Sequence, residues 1–545
     1  MPPALTTAVP VLRRGGSLNI TVSSEALGLD PIVGIGAGAA GGAELLALYD
    51  SIVRWNPDAR TYEMRTAAAL TSNATSTEWT LRLKPNIAFR DGTPYDAEAV
   101  RYNIDRMMSV RNAGSSRAWL NYVIGTPSNV VVIDALTVRF TLSVADSAFA
   151  ALLADTPGMI VSPTKLKAIG DPSAADYKAK SDAFSRHPVG AGAGPFEIVS
   201  FVNNDSIVLH KSATFYGGDP YLDEITFTPP GNPDKAVDAL KSGAVKVAFL
   251  RSGVQIAAAR AEPTLGGFET FVGGVGVLLA NRRVITGCVG GQPEPLCKGQ
   301  PNRAPSLPAT ADALIRGAIA AAIDPFEFDA RVNDGGGLDG NALFGQSFYF
   351  NTEAARPTAS VPIGIAMLAQ AKAAGATGKL RIVCTSRPDR VAVAHTLDAM
   401  LTAIGFNTSV RTEPEPAASG PTSTVVTGAS VGSEGDFDVA CGSLAMADDD
   451  TAVLSLVEHF WSRSPGNIVG LSEPAWDAAL AAALAAPSDA AKKAAYHVLA
   501  DLWTADRPGV IFENAAERIA FSFKVHGLYL SEGSLLFLDK AWVEK

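Results

Sequence analysis

The sequence predicts an α/β protein with more than one domain, and three observations support this prediction. The chain has 545 residues, which is too many for a single hydrophobic core. Its residues are 47% hydrophobic and 18% charged, a composition typical of a folded globular protein. Strand and helix patterns alternate, most clearly over residues 379–410, where a parallel βαβ unit is expected.

A strand, a turn and a helix are predicted within residues 78–108. Apolar and polar residues alternate over 79–83, which is the period of a strand with one buried face, and 87–89 resume the pattern as the second arm of a hairpin. Asp96 is the expected N-cap of a helix, because apolar residues then recur every three or four positions.

The same patterns predict most other elements along the chain. Strands are expected at 17–22, 130–134, 137–142, 196–201, 206–210, 246–250, 274–281, 379–384, 406–410, 438–441 and 510–512. Helices are expected at 43–53, 236–243, 313–323, 389–404, 451–460 and after the N-cap Ser488.

Residues 79–100, WTLRLKPNIAFRDGTPYDAEAV, resemble the signature of the family 5 extracellular solute-binding proteins. That signature is a strand, then F-x-D-G-x-P, then a helix. Weaker fragments resemble the family in the same order: L-D-P at 29–31, P-V-G-A-G-A-G-P-F at 188–196, and A-I-D at 322–324. The resemblance extends from about Leu27 to Leu528, and the shared order makes it more specific than any one fragment.

The resemblance implies a two-lobed periplasmic-binding-protein-like fold of type II, with an extra inserted subdomain in lobe I. We expect lobe I to combine residues 1–54, 190–274 and 512–545. The inserted subdomain would be 55–189, and lobe II would be 275–511. Two strands crossing between the lobes, near Gly274 to Asn281 and Val510 to Asn514, would act as a hinge that closes on ligand.

The resemblance also implies function. Members are the peptide, dipeptide and nickel receptors of ABC importers, so we expect a monomer that captures oligopeptides or dipeptides for a membrane-embedded ABC permease, without a cofactor. The same fold accommodates other ligands, and an oligosaccharide, haem or a metal chelate stays open. A regulator of the cell envelope that has lost transport is a further alternative.

The resemblance places the binding site after the strand that ends at Cys441. In peptide receptors this segment reads like G-W-x-A-D-Y-x-D-P, where the main chain pairs with peptide and the Asp receives its α-ammonium. The predicted binding residues are Gly442, Ser443, Leu444, Ala445, Met446 and Asp448. One alignment puts Met446 at the Asp position, and a shift by two puts Asp448 there. Alternatively, Asp448, Asp449 and Asp450 cap the following helix.

A glycine-rich loop at 34–42 is the second candidate site. It contains the spacing GxGxxG, but a dinucleotide site is not expected because Asp30-Pro31 separates the loop from the preceding strand. The glycines could simply permit a tight path. The resemblance instead implies that the backbone of Gly36, Ala37 and Gly38 contacts ligand.

Other function classes are not expected. No GxxxxGK[ST] or HExxH motif occurs, and the single GxSxG spacing, at 428–432, lies in a Ser/Thr/Gly/Pro-rich segment expected to be a loop, so the sequence does not predict an enzyme. The formal charge of -10 and the pI near 5.2, without a cluster of Lys and Arg, argue against nucleic acid and anionic membrane as partners. The four cysteines include no CxxC pair, so no zinc site is expected.

The cysteines predict two disulfides. Cys288 and Cys297 flank a Gly/Pro-rich loop, and Cys384 and Cys441 end two strands expected to be parallel neighbours. Four buried free thiols are the alternative. Disulfides favour an extracytoplasmic protein, although residues 1–16 resemble no signal peptide. We therefore expect the native form to be a membrane-anchored lipoprotein whose signal segment is absent from this sequence.

Overall fold

A computed structural model describes most of the chain. The described residues are 11–33, 41–109, 114–171, 174–229, 235–283, 305–332, 340, 342–344, 349–351, 359–386, 388–413, 436–444, 446, 452–464 and 466–544. Several predicted site residues lie outside this set: Gly36, Ala37, Gly38, Ala445, Asp448, Cys288 and Cys297.

Twenty strands occur in the described residues. They are β1 Ser17–Thr21, β2 Val53–Asn56, β3 Thr61–Met64, β4 Ala67–Ser72, β5 Glu78–Leu83, β6 Val130–Asp134, β7 Thr137–Thr141, β8 Phe196–Val202, β9 Ser206–Lys211, β10 Glu224–Thr228, β11 Val247–Leu250, β12 Leu265–Ala280, β13 Lys379–Thr385, β14 Asn407–Glu413, β15 Val439–Gly442, β16 Gly509–Ser522, β17 Val525–His526, β18 Tyr529–Leu530, β19 Leu536–Phe537 and β20 Trp542–Val543.

Fifteen helices accompany them in the same part of the chain. They are α1 Gly42–Tyr49, α2 Ala97–Ser109, α3 Gly114–Val123, α4 Phe149–Ala154, α5 Pro163–Ile169, α6 Tyr177–Arg186, α7 Ala236–Ser242, α8 Gly253–Ala261, α9 Ala313–Ala322, α10 Pro325–Val332, α11 Val361–Ala373, α12 Pro388–Ala403, α13 Ala452–Phe460, α14 Pro474–Ala485 and α15 Asp489–Asp506.

One ten-stranded sheet organises the molecule. Its order is β14-β13-β15-β12-β16-β11-β1-β10-β9-β8. Strands β13, β14 and β15 are parallel to one another and form the sheet of lobe II. Strands β11, β1 and β10 are parallel and, with the β8–β9 hairpin, form the sheet of lobe I. Antiparallel β12 and β16 belong to both lobes.

The two crossing strands are paired regularly at their ends and irregularly between them. Pairing is regular from Leu265↔Ser522 to Phe271↔Ala516 and again from Val277↔Ile511. Three register shifts fall between Phe271 and Val277. The irregular register interrupts the ladder of backbone hydrogen bonds in this middle segment, which overlaps the predicted hinge strand at 274–281.

Two local predictions were wrong. Residues 87–89 do not form a hairpin with β5, which pairs with β4 and β7 in a four-stranded sheet, and Ala88 forms only an isolated bridge to Pro94. The first helix ends at Tyr49 rather than at Val53. Its termination follows from Asp50, whose φ of 59° is outside the helical range.

The βαβ prediction is confirmed, and so is one disulfide. Strands β13 and β14 are parallel and joined by α12. Strand β13 is also a parallel neighbour of β15, which brings Cys384 and Cys441 to a Cα–Cα distance of 4.8 Å, and they are disulfide-bonded. The predicted cap is present too, since Asp96 Oδ1 accepts a hydrogen bond of 2.9 Å from the Ala99 N–H.

Residues 55–189, the predicted inserted subdomain, contact the predicted lobe I through an apolar cluster that includes Met159, Val161 and Leu166 and also through buried charged groups, and we call this the lobe I contact. Arg106 on α2 donates to both carboxylate oxygens of Asp30 at 2.9 and 2.6 Å. Arg65 donates to both oxygens of Asp50 at 3.0 and 2.9 Å. Both aspartates are fully buried, so these bidentate pairs connect sequence-distant segments in a weakly screened environment.

The same residues contact lobe II mainly through apolar groups, and we call this the lobe II contact. Helix α3 packs on α13, and Tyr122 meets Trp461 edge-on with ring centroids 4.7 Å apart. The Ser147 hydroxyl donates to the carbonyl oxygens of Leu484 and Ala486 at 3.1 and 2.7 Å. One continuous hydrophobic cluster therefore extends from the inserted subdomain into lobe II.

Candidate functional site

The parallel strands of both lobes end at the same gap. Strand β11 ends at Leu250, which lies opposite Arg518 of β16, and β15 ends at Gly442, which lies opposite Val277 of β12. The registers therefore direct the carboxyl ends of both sets of strands towards the irregular middle of β12 and β16. Ligands of open α/β sheets bind outside the carboxyl ends of the strands, so this gap is the candidate site.

The length of β12 and β16 between the lobes limits the distance between the lobe I edge and the lobe II edge of the gap. Thr270 of β12 lies opposite Glu517, next to the lobe I edge, and Val277 marks the lobe II edge. At about 3.3 Å per residue, residues 270–277 span at most about 23 Å. An extended peptide of about seven residues spans the same distance.

The lobe II edge presents hydroxyl and backbone groups. Ser443 follows β15 directly and is 8% exposed. Thr385 ends the neighbouring strand β13, and its buried hydroxyl has no hydrogen-bond partner in the described part of the chain. These groups can form hydrogen bonds with a ligand main chain but carry no charge.

The predicted binding residues around Ser443 are placed in two environments. Gly442 and Ser443 lie at the strand end, whereas Leu444 and Met446 are 0% and 1% exposed in the cluster that joins the subdomain and lobe II. The side chains of Leu444 and Met446 therefore belong to the hydrophobic core, so a ligand at this edge would contact backbone groups of this segment instead. Their proposed contact with ligand stays a prediction.

The strongest sequence motif lies at a structural junction. The Arg90 N–H donates a 3.0 Å hydrogen bond to the Gly192 carbonyl oxygen, and the Asp91 N–H donates one of 3.0 Å to the Gly190 carbonyl oxygen. The Arg90 guanidinium also donates to the Gly194 carbonyl. The F-R-D-G motif therefore connects the inserted subdomain to residues 188–196 by hydrogen bonds.

Sequence reasoning missed a charged pair at the lobe I edge. Arg251 follows β11 directly, and its Nε donates to Glu517 Oε2 at 2.8 Å. The Arg251 side chain is 39% exposed, whereas the Glu517 side chain is fully buried. A basic residue immediately after the buried strand VAFL is the signal that could have identified this position.

Sequence reasoning also missed Glu44 in the first turn of α1. Its side chain is fully buried, and neither carboxylate oxygen has a hydrogen-bond partner among the described residues. Burial raises the pKa of Glu44 to about 7. The side chain lines a cavity about the size of one water molecule, together with Glu25, Ser206 and Thr228.

The described residues offer neither a metal site nor a membrane span. No group of three or more His, Cys, Asp or Glu residues there could hold a metal ion. None of the helices described above has both the length and the apolar composition needed to cross a membrane.

Comparison with known proteins supports the family resemblance. The family model for bacterial extracellular solute-binding proteins, family 5 middle region, matches residues 61–463. The glutathione-binding protein GsiB of Shigella flexneri is 31% identical over 172 residues, which cover 31% of this chain and 30% of that protein. The match thus spans less than a third of the curated relative.

Solved structures are similar over nearly the whole chain. The oligopeptide-binding protein AppA of Bacillus subtilis, in complex with a nonapeptide, has a TM-score of 0.72 at 16% identity and covers 98% of this chain and 100% of its own. The binding protein AgaA from A. tumefacien R10, in complex with agropinic acid, has a TM-score of 0.72 at 21% identity, with coverages of 97% and 99%. The two-lobed α/β prediction is therefore confirmed.

Proposed function

The chain belongs to the family 5 bacterial extracellular solute-binding proteins, and from this membership we propose that it captures oligopeptides or dipeptides for an ABC importer. Proteins of this family bind solutes, so the proposed activity is capture and delivery without chemical conversion. The proposed place of action is outside the cytoplasm. The proposed partner is a membrane-embedded ABC permease, and the proposed working form is a monomeric lipoprotein.

The observation that carries the proposal is the convergence of strand ends on one gap. Edges at which strands end offer backbone donors and acceptors to an extended ligand, and main-chain hydrogen bonds of this kind tolerate different side chains. The Ser443 hydroxyl and the small residues beside it leave room for ligand side chains. Peptides fit this chemistry because every peptide has the same main chain.

Capture would work by closure of the two lobes. We place lobe I at 1–54, 190–274 and 512–545, the inserted subdomain at 55–189, and lobe II at 275–511. The irregular middle of β12 and β16 would bend, and the two edges would then enclose the ligand. Small-angle scattering should show a smaller radius of gyration when a bound peptide is added; an unchanged curve would contradict closure.

The proposed partner of a peptide α-ammonium is Asp448. Asp448→Asn should weaken peptides that have a free N-terminus about 10- to 100-fold, which is the scale of a charge-assisted hydrogen bond. Acetylated peptides should bind wild type and variant equally. Titration calorimetry on the four combinations measures this, and an unchanged ratio would assign the role to a different residue.

Retained ligand provides the direct test of the proposed function. Protein purified from cells is denatured, and mass spectrometry identifies the small molecules that are released. A mixture of peptides is expected. A single reproducible non-peptide compound would contradict peptide capture and favour a non-peptide ligand, as agropinic acid is in AgaA.

A further inference from the structure

The lobe I edge holds an arginine with a fixed position. The Nε of Arg251 is bound to Glu517, and its two terminal nitrogens, Nη1 and Nη2, make no hydrogen bond within the described residues. Glu517 lies on β16, one of the crossing strands, and its side chain is fully buried. The pair therefore fixes the orientation of the Arg251 guanidinium. Its Nη1 and Nη2 atoms lie at the end of β11, where the gap begins.

The pair is incompletely satisfied. Glu517 Oε1 is buried and has no hydrogen-bond partner in the part of the chain that the structure describes. A buried carboxylate with a single partner is unfavourable unless that partner is retained, so Glu517 restrains Arg251 strongly. A restrained guanidinium loses less conformational entropy on binding than a mobile one.

A helix begins next to this arginine. Helix α8 starts at Gly253, and its N-cap residue Ser252 makes no side-chain capping hydrogen bond. Ser252 therefore leaves the first N–H groups of α8 uncapped, and the helix dipole places partial positive charge at the same edge. The start of α8 favours an anionic group, and Arg251, whose charge is balanced by Glu517, adds the N–H donors of Nη1 and Nη2.

We infer that Arg251 and the first turn of α8 bind a carboxylate of the ligand at the lobe I edge, an inference that rests on the proposed function. A carboxylate matches the paired Nη1 and Nη2 donors of a guanidinium bidentately. The charge would then be bound by lobe I, whereas the uncharged groups of Ser443 and Thr385 at lobe II contact the main chain. Ligands with a free carboxylate are thereby selected over neutral ones.

The test uses one peptide pool in two chemical forms. The probes are a tryptic digest of casein and the same digest with its carboxylates converted to methyl esters. Each is incubated with immobilised wild type, R251Q or R251K, and the captured peptides are quantified by mass spectrometry. The matched control is R260Q, since Arg260 is an exposed arginine near the end of helix α8 and is likewise paired with a glutamate, Glu269.

Wild type and R260Q should capture free acids about 10- to 100-fold more than esters. R251Q should lose most of this preference, and R251K should keep part of it, because Lys retains charge without the bidentate geometry. Circular dichroism on each variant identifies a folding defect, and R251K decides the matter if R251Q does not fold. A C-terminally amidated copy of a captured peptide distinguishes the terminal carboxylate from side-chain carboxylates.

The outcomes separate the two proposals. If wild type captures neither form, the proposed peptide function fails and this inference fails with it. If wild type captures both forms equally, or if R251Q and R251K keep the full preference for free acids, the carboxylate site is wrong while peptide capture stands.

Discussion

The predicted inserted subdomain packs on both lobes through apolar clusters, but the two contacts differ in the buried charge pairs that the lobe I contact adds. The lobe I contact contains the buried bidentate pairs Arg106–Asp30 and Arg65–Asp50. The lobe II contact is dominated by ring packing and by hydrogen bonds from Ser147. Substituting one member of a buried charge pair leaves the other charge buried and uncompensated, whereas substituting one member of an apolar contact does not. We therefore expect single substitutions to reduce stability more at the lobe I contact than at the lobe II contact.

Breaking a charge pair in the lobe I contact should have the largest effect. R106Q leaves Asp30 buried and uncompensated, so the free energy of unfolding should fall by about 3–5 kcal/mol. Urea unfolding of the variant and wild type measures this difference in the free energy of unfolding. The control is R101Q, whose exposed pair with Glu98 on the same helix should contribute less than about 1 kcal/mol. Equal losses in the two variants would remove the basis of the comparison.

Glu44 sharpens the comparison, because it is a buried carboxylate of lobe I without a described partner. Its pKa is raised by burial from 4.5 to about 7, so the folded protein holds a proton there that the unfolded chain releases at lower pH. Stability from this group is complete below about pH 4.5 and is lost as the pH rises to 7, by on the order of 3 kcal/mol.

E44Q should remove that pH dependence. The variant and wild type should be similarly stable near pH 4.5, and the variant should be more stable at pH 8. Urea midpoints from pH 4.5 to 8 test this prediction, with E25Q as the control that lines the same cavity but is partly exposed. A wild-type minus E44Q difference that stays constant with pH would show that Glu44 does not titrate in this range.

The smallest effect is expected at the lobe II contact. S147A removes the hydroxyl that donates to Leu484 and Ala486, which should reduce the free energy of unfolding by only about 1 kcal/mol. The radius of gyration of the ligand-free protein should nevertheless increase, because the contact opens more often. Ser143 provides the control: its hydroxyl bonds to Ile124 inside the subdomain, so S143A should not change the scattering curve. Identical curves for all three proteins would mean that this contact does not govern opening.

Local patterns were readable from the sequence where one face of an element is buried. The β13–α12–β14 unit was predicted because its apolar periods are clear and Gly405, at φ 102°, ends the helix. The full length of β12 was not predicted, because its glycine-rich middle lacks an alternating pattern of apolar and polar residues. Four residues paired across long sequence distances were also missed or given no role: Arg106 with Asp30, and Arg251 with Glu517. Spacing along the chain contains no signal for such pairs.

The candidate site was predicted in part for the same reason. Ser443 was identified from the resemblance and from its position after a buried strand, and both the fold and the strand are confirmed. The burial of Leu444 and Met446 depends on the inserted subdomain packing against lobe II, a tertiary contact that no local pattern encodes. Glu44 looked like an ordinary acidic residue in a first helical turn, and its burial could not be read from that position.

The position of β16 has a consequence for the order of folding. In the sheet β16 lies between β11 and β12, although these two are close in sequence and β16 is made more than 200 residues later. During synthesis, β11 and β12 therefore lack their shared neighbour until nearly the whole chain has emerged. Such non-local pairing slows folding and leaves strand edges open to aggregation in the meantime.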